Sequence, residues 1–312
     1  MKTLQMTAIS TAAVALLAGL STVAFAADEP AAAEVSPITA NVTVASNYIY
    51  RGLTQTNNKP AIQGGFDYAH ESGFYVGNWN SNISWISDQY GGGNAPNGTS
   101  KPGSGTGSVT APIEMDFYAG FKKELIGEGF ASDFGVLQYY YPVSGMIMNA
   151  PTSAQLQTSP SSRQSSGAAP STTELYAAQN FTFGPVTGFA KFSYALSNLF
   201  GIYNSKGSFY PDLTANYDTG MYGITVNAHV GYQYVPNNIV TTTAGVGNNG
   251  TWNLSYADWK LGLTKDFGGG LSGSAYYTGT SAQKVGNTYV YSTPNGGNQG
   301  RGTAVVSLTK AF

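Results

Sequence analysis

The residues able to do chemistry are few. His70 and His229 are the only imidazoles, and there is no cysteine. Nucleophilic catalysis needs a hydroxyl or thiol beside a base that a third group orients. His70 lies in the short turn His70-Glu71-Ser72-Gly73, and His229, in mid-strand, has no serine and carboxylate at a readable spacing. Without cysteine there is no thiolate metal site and no disulfide framework. The glycine-rich run from Gly91 to Gly107 lacks the Lys-Ser/Thr ending of a phosphate cradle, and no helix pattern follows it. The sequence therefore points to no enzyme, no metal and no cofactor. What remains is a sparse set of charged side chains, each on the polar row of an alternating stretch: Arg51, Asp67, Glu114, Asp116, Lys122, Glu174, Lys191, Asp212, Asp258 and Lys260, with His229 among them. Six acids and four bases along such rows have the chemistry of a lining, which holds ions and small polar solutes weakly and favours cations only slightly.

The elements that must carry these rows are strands. From Tyr222 to Tyr234, apolar Tyr222, Ile224, Val226, Ala228, Val230, Tyr232 and Tyr234 alternate with polar or small residues, a period of two with aromatics at both ends. The same pattern predicts strands at Ile38 to Tyr50, Pro60 to Ala69, Phe74 to Ile86, Pro112 to Lys122, Phe130 to Tyr141 and Thr173 to Phe183. It continues at Val186 to Leu196, Ser208 to Tyr217, Gly220 to Val235, Leu254 to Lys265, Gly270 to Thr280 and Gly302 to Phe312. Connections alternate between short turns, such as Gly184-Pro185, and long polar loops, such as Ser87 to Ala111 and Pro142 to Thr172. An all-β transmembrane antiparallel barrel of about twelve strands, with both termini periplasmic, produces that alternation. Within it, Trp79, Trp85 and Trp259 fall on outward rows, and the loop from Pro142 to Thr172 has the reach to fold back into the lumen.

Composition agrees. Charged residues are 10% of the chain, against about 25% in soluble domains, while Gly numbers 40 and Tyr 22. Lys2, the apolar stretch Ala8 to Leu20 and Ala24-Phe25-Ala26 read as a cleaved secretory signal over residues 1–26, with cleavage between Ala26 and Ala27. A periplasmic lead-in then covers 27–37 and the barrel 38–312. Loss of Lys2 takes the 14 bases to 13 against 16 acids, which argues against a nucleic-acid partner. The partners expected are outer-membrane lipids and small polar solutes or ions; the oligomeric state is left open.

One stretch is more specific. Ser46-Asn47-Tyr48-Ile49-Tyr50-Arg51-Gly52, Pro60-Ala61-Ile62-Gln63-Gly64-Gly65-Phe66-Asp67-Tyr68, Gly73-Phe74-Tyr75-Val76-Gly77-Asn78-Trp79 and Ser81-Asn82 together resemble the opening hairpins of the TorF porin family of proteobacterial outer-membrane proteins. The resemblance weakens along the chain and ends at Phe312. It implies a porin-like channel inserted by the outer-membrane barrel-assembly machinery, with Phe312 as the assembly signal. Arg51 falls where the first strand meets its outer turn, facing inward, with Asp67 the nearest acid in sequence. Two other readings stay open: a non-conducting surface-binding or structural barrel, and a barrel-type lipid hydrolase or protease. If the signal reading holds, the intact mass of purified protein corresponds to a chain starting at or near Ala27; a mass that retains Met1 to Ala26 overturns it.

Overall fold

The alternating rows assemble into one closed sheet. The computed structural model describes residues 36–90, 109–145, 169–237, 239–240, 251–285, 288–293 and 296–312. The signal segment, Ala26, Ala27 and most of the lead-in lie outside the described residues, as do 146–168 of the longest loop. Twelve strands form the barrel: β1 (Ile38–Ala45), β2 (Ala61–Ala69), β3 (Phe74–Asn82), β4 (Ile113–Gly127), β5 (Phe130–Tyr140), β6 (Thr172–Phe183), β7 (Val186–Ala195), β8 (Phe209–Asp218), β9 (Ile224–Gln233), β10 (Tyr256–Gly268), β11 (Leu271–Thr280) and β12 (Thr303–Ala311). Each pairs antiparallel with its chain neighbours, and β12 closes on β1 with Asn41 opposite Ala311 and Ala45 opposite Ser307. Closure leaves no sheet edge. Backbone bonds between Ala40 and Phe312 extend the closing ladder to the terminal residue.

The connections 70–73, 128–129, 184–185, 219–223 and 269–270 share one end of the barrel with the start of β1 and the end of β12, and the longer connections share the other. Outward rows are mostly apolar: Val42 and Val44 on β1, Leu261 and Leu263 on β10, and Val306 and Leu308 on β12 are all exposed. Trp259 points outward as expected. On β3 the outward row also carries Asn78 and Asn80. Asn78 Nδ2 donates to the Asp116 carbonyl at 2.9 Å and Asn80 Nδ2 to Asn78 Oδ1 at 2.5 Å, so these amides lie along the sheet.

Several expectations are corrected. The first strand ends at Ala45, not Tyr50, because the chain turns into the barrel after Ser46. The third ends at Asn82, not Ile86, and Trp85–Tyr90 is a one-turn helix, α1, with Ser84 Oγ on Asp88 Oδ2 at 2.7 Å. The fourth runs past Lys122 to Gly127, with a bulge between Glu124 and Gly127. Tyr222 leaves the ninth strand for the 219–223 turn, where it has φ 53°. Trp79 and Trp85 are buried inside, not outward. Both rows of β3 mix apolar and polar residues, so period alone could not choose between them. Pairing decides it: Gly77 lies opposite Asp67 and Trp79 opposite Asp116, and those acids face inward.

A charge on the outward face of such a strand is expected to be costly and one on the inward face much less so. Val306→Arg should destabilise the folded barrel in bilayers by about 2–4 kcal/mol, with Ser307→Arg closer to the parent. The opposite ranking in denaturant titrations would invert the assigned faces.

Candidate functional site

The interior is organised around a loop that turns into it. Residues 46–60 leave β1 and form a small hairpin in which Ile49 pairs with Thr54 and Tyr50 with Leu53. Its tip is Arg51 and Gly52, at φ 45° and 75°. Two successive left-handed residues make the tight turn that suits a two-residue hairpin. Gly52 is required there on a second ground: a Cβ would collide with Thr280 and lie 2.7 Å from the Cβ of Asp258. Asn47 ties the loop together, since Thr54 and Thr56 donate to its Oδ1 at 2.7 and 3.0 Å, while Gln55 N donates to the Tyr48 carbonyl at 2.8 Å.

Arg51 crosses the lumen from this tip. Its guanidinium donates to both oxygens of Glu174 on β6, at 3.0 and 2.7 Å, and to Gln233 Oε1 on β9 at 2.6 Å. It also lies over the rings of Tyr210 and Tyr50, 4.3 and 5.0 Å from their centroids. The partner of Arg51 is thus Glu174, 123 residues away, and not Asp67, which accepts instead from Tyr118. Tyr48 donates to Glu114 at 2.5 Å and packs its ring against Trp79; Tyr50 bonds Tyr139.

Each of the ten charged candidates, and His229, points into the barrel, and most of them are engaged by neighbours. Glu114 accepts from Tyr48 and Tyr141. His229 bridges Asp212 and Asp258 at 2.9 and 3.0 Å, and Tyr210 donates to Asp258 at 2.8 Å. These carboxylates come from neighbouring strands, which sequence spacing could not reveal; with both ring nitrogens on carboxylates, His229 is held as a structural cross-link. Lys260 lies opposite His229 in the register, and Lys191 stands 4.4 Å over the Tyr176 ring. Asp133 was missed: it is fully buried, accepts from Tyr75 at 2.6 Å and lies opposite Lys122. The period of two along β5 would have found it, two residues from Gly135 and four from Leu137. Asp116 is the exception, a buried carboxylate neither of whose oxygens has a hydrogen-bond partner among the described residues.

Charges and tyrosines cluster on β4 to β10. Across the barrel, β11, β12 and β1 turn in mainly small neutral groups, with Ser274 on Ser307 at 2.7 Å and Thr43 on Thr309 at 2.8 Å, beside Tyr276 and Val305. Above the inserted loop, at the long-loop end, lies a cavity of about 600 Å³ of empty volume, partly open to solvent. Tyr50, Trp85, Tyr141, Phe200, Tyr256 and Tyr291 supply its rings, Leu53, Leu199 and Ile202 its aliphatic wall, and Arg51, Gln55, Gln233 and Gln299 its polar groups. Phe200, from the 196–208 loop, packs edge-on against Tyr50 and Tyr139 at 5.6 and 5.0 Å. Of these lining residues only Arg51 was expected to face the lumen, and Trp85 was expected outside, because the loops that bring them together have no period. The loop expected to enter the lumen, Pro142 to Thr172, lies largely outside the described residues.

A family model described as "Bacterial protein of unknown function (Gcw_chp)" matches residues 29–312. No curated protein sequence matches the chain. Among solved structures, a KdgM porin in complex with disordered oligogalacturonate is similar at 6% identity, with 88% of this chain and 98% of that chain covered and a TM-score of 0.44. A Pseudomonas aeruginosa FadL homologue is similar at 11% identity over 89% and 90% of the two chains, with a TM-score of 0.40. Acinetobacter baumannii OccAB1 is similar at 11% identity over 90% of this chain and 66% of that one, also with a TM-score of 0.40.

The Arg51–Glu174 pair is 6% and 1% exposed, so removing the carboxylate strands a buried guanidinium, at a cost of about 3–5 kcal/mol. The loop can escape that cost by leaving the lumen. Glu174→Ala is therefore expected to open the Arg51–Gly52 bond to trypsin in the folded barrel, while the parent resists and Lys59, followed by Pro60, stays uncut in both. Fragment masses read the result; equal resistance in variant and parent rejects the pair as the anchor.

Proposed function

This chain belongs to the bacterial family of unknown function Gcw_chp, and we propose that it is a narrow outer-membrane channel for small polar solutes or ions, its long-loop end facing outward and its termini periplasmic. The observation that carries the reading is the two-faced wall. Outward rows are dominated by exposed Leu, Val and Phe around the barrel, while inward rows hold charged groups, hydroxyls and amides. An apolar exterior of this extent suits hydrocarbon, and a closed barrel is the only sheet that satisfies its backbone there. The resemblance of residues 46–84 to the TorF porin family supports the same function. Export with cleavage near Ala27, and insertion by the barrel-assembly machinery reading Phe312, belong to this proposal.

Two features set the conductance and its selectivity. Twelve strands stand between the filled eight-stranded barrel and the open sixteen-stranded one, and the 46–60 loop narrows the lumen further. The charges of β4 to β10 largely neutralise or bond one another, so the wall left to face solutes is the hydroxyl wall of β11, β12 and β1. Such a lining discriminates weakly between ions, with at most a slight cation preference from the excess of inward acids. A second reading, a non-conducting barrel, is favoured by the same loop if it never leaves.

Planar-bilayer recordings decide between them. The parent is expected to show small single-channel steps with a reversal potential near zero in a salt gradient, and Arg51→Ala or Glu174→Ala steps several-fold larger. Absence of current in the parent and in both variants rejects the channel.

A further inference from the structure

The geometry points to the cavity above the inserted loop as a binding site for a neutral, ring-shaped solute with apolar faces and a hydroxyl rim, of the chemistry of a saccharide. The inference rests on the channel reading in one respect, that the long-loop end faces the surroundings.

The first observation is where the backbone is strained. Among the described residues, seven non-glycine residues have positive φ: Arg51, Asn57, Asn58, Phe200, Asn204, Tyr222 and Asn237. Asparagine enters the left-handed region readily; Arg, Phe and Tyr do not. Of these three, Tyr222 lies in an exposed turn at the short-turn end, and the other two, Arg51 and Phe200, both at φ 45°, line this one cavity from different loops. Strain of this kind persists where surrounding structure holds a side chain in a required place.

The lining then specifies the occupant. The cavity is partly open to solvent, so an occupant held between its rings can extend beyond them. Three of the lining tyrosines turn their hydroxyls to the wall: Tyr50 bonds Tyr139, Tyr141 donates to Glu114, and Tyr291 donates to the Leu254 carbonyl at 2.6 Å. Their rings are what the cavity receives, which suits a solute with flat apolar faces. Polar groups stand among them in fixed orientation, since Gln55 and Gln299 each donate an amide hydrogen at 2.9 Å to a backbone carbonyl, of Leu53 and Thr54 respectively. Arg51 is the one charged lining residue, and Glu174 already neutralises it. A cation would meet the guanidinium, and an anion the carboxylates of Glu174 and Glu114 behind the rings. A neutral solute with hydroxyls around its edge meets neither penalty and can both donate to and accept from the amides.

Isothermal titration of the full-length barrel in lauryldimethylamine oxide micelles, chosen because the detergent carries no sugar, tests this with maltose as the probe and glucuronate and phenol as controls. Maltose should give a saturable heat, with glucuronate weaker. Phe200→Gly suits the backbone at φ 45° while removing the ring, so the variant should keep the parent's heat-modifiable gel mobility and bind maltose about ten-fold more weakly or worse. Gln299→Leu should weaken maltose and leave any phenol binding unchanged or tighter. No saturable maltose heat, or equal binding by Phe200→Gly, overturns the site. Phenol bound without maltose overturns the assigned chemistry. A chain that conducts without binding maltose loses only this inference, and one that binds without conducting loses only the channel.

Discussion

A buried guanidinium held by a carboxylate on the far wall of the barrel governs the rest of the interior. Arg51 reaches Glu174 with two hydrogen bonds, takes a third acceptor from Gln233 and sits over two tyrosine rings. Removing two charges from water is expensive, and attraction in a low-dielectric interior repays it only when geometry is good and spare donors are matched. A bidentate pair supplies that geometry. It also converts a connection that would otherwise lie outside into part of the lumen, because the loop cannot withdraw without breaking the pair.

The inserted loop in turn fixes what lies on either side of it. Beneath it, Gly52 presses on Thr280 and Asp258 so closely that only a residue without a side chain fits. Above it, Tyr50 and Arg51 become the floor of a cavity whose walls come from the loops 196–208 and 281–302 and from the start of α1. Phe200 completes the arrangement by packing on Tyr50 and Tyr139. The left-handed strain at Arg51 and Phe200 is sustained because each side chain is engaged by several neighbours at once.

Electrostatically the lumen is divided. Seven inward acids, Asp133 included, and four bases on the loop and β2 to β10 are mostly partnered with one another or with tyrosine hydroxyls, whereas β11, β12 and β1 contribute mainly Ser, Thr and Asn, with Tyr276 and Val305. Pairing cancels the long-range field of the charges, so their number says little about what passes. In the proposed channel the mainly neutral wall is the better guide to selectivity.

How much of this was legible beforehand follows from what each feature depends on. The period of two, the even strand number and the sorted loop lengths are local properties of the chain, since each strand shows its apolar and polar rows without reference to any other. The closed twelve-stranded sheet and the inward direction of Asp67, Glu114 and the remaining strand charges were therefore readable from the sequence, whereas Arg51 points inward because the 46–60 loop turns into the barrel, which no strand row shows. Row assignment failed on β3, where Trp79 was placed outward, because both rows are mixed and only pairing with Asp67 and Asp116 across the neighbouring strands settles the face. The Arg51–Glu174 pair, the carboxylates around His229 and the aromatic cavity were not readable at all. They join residues tens to more than a hundred positions apart through loops without a period, and such contacts exist only once closure of the barrel brings opposite walls within reach of one side chain.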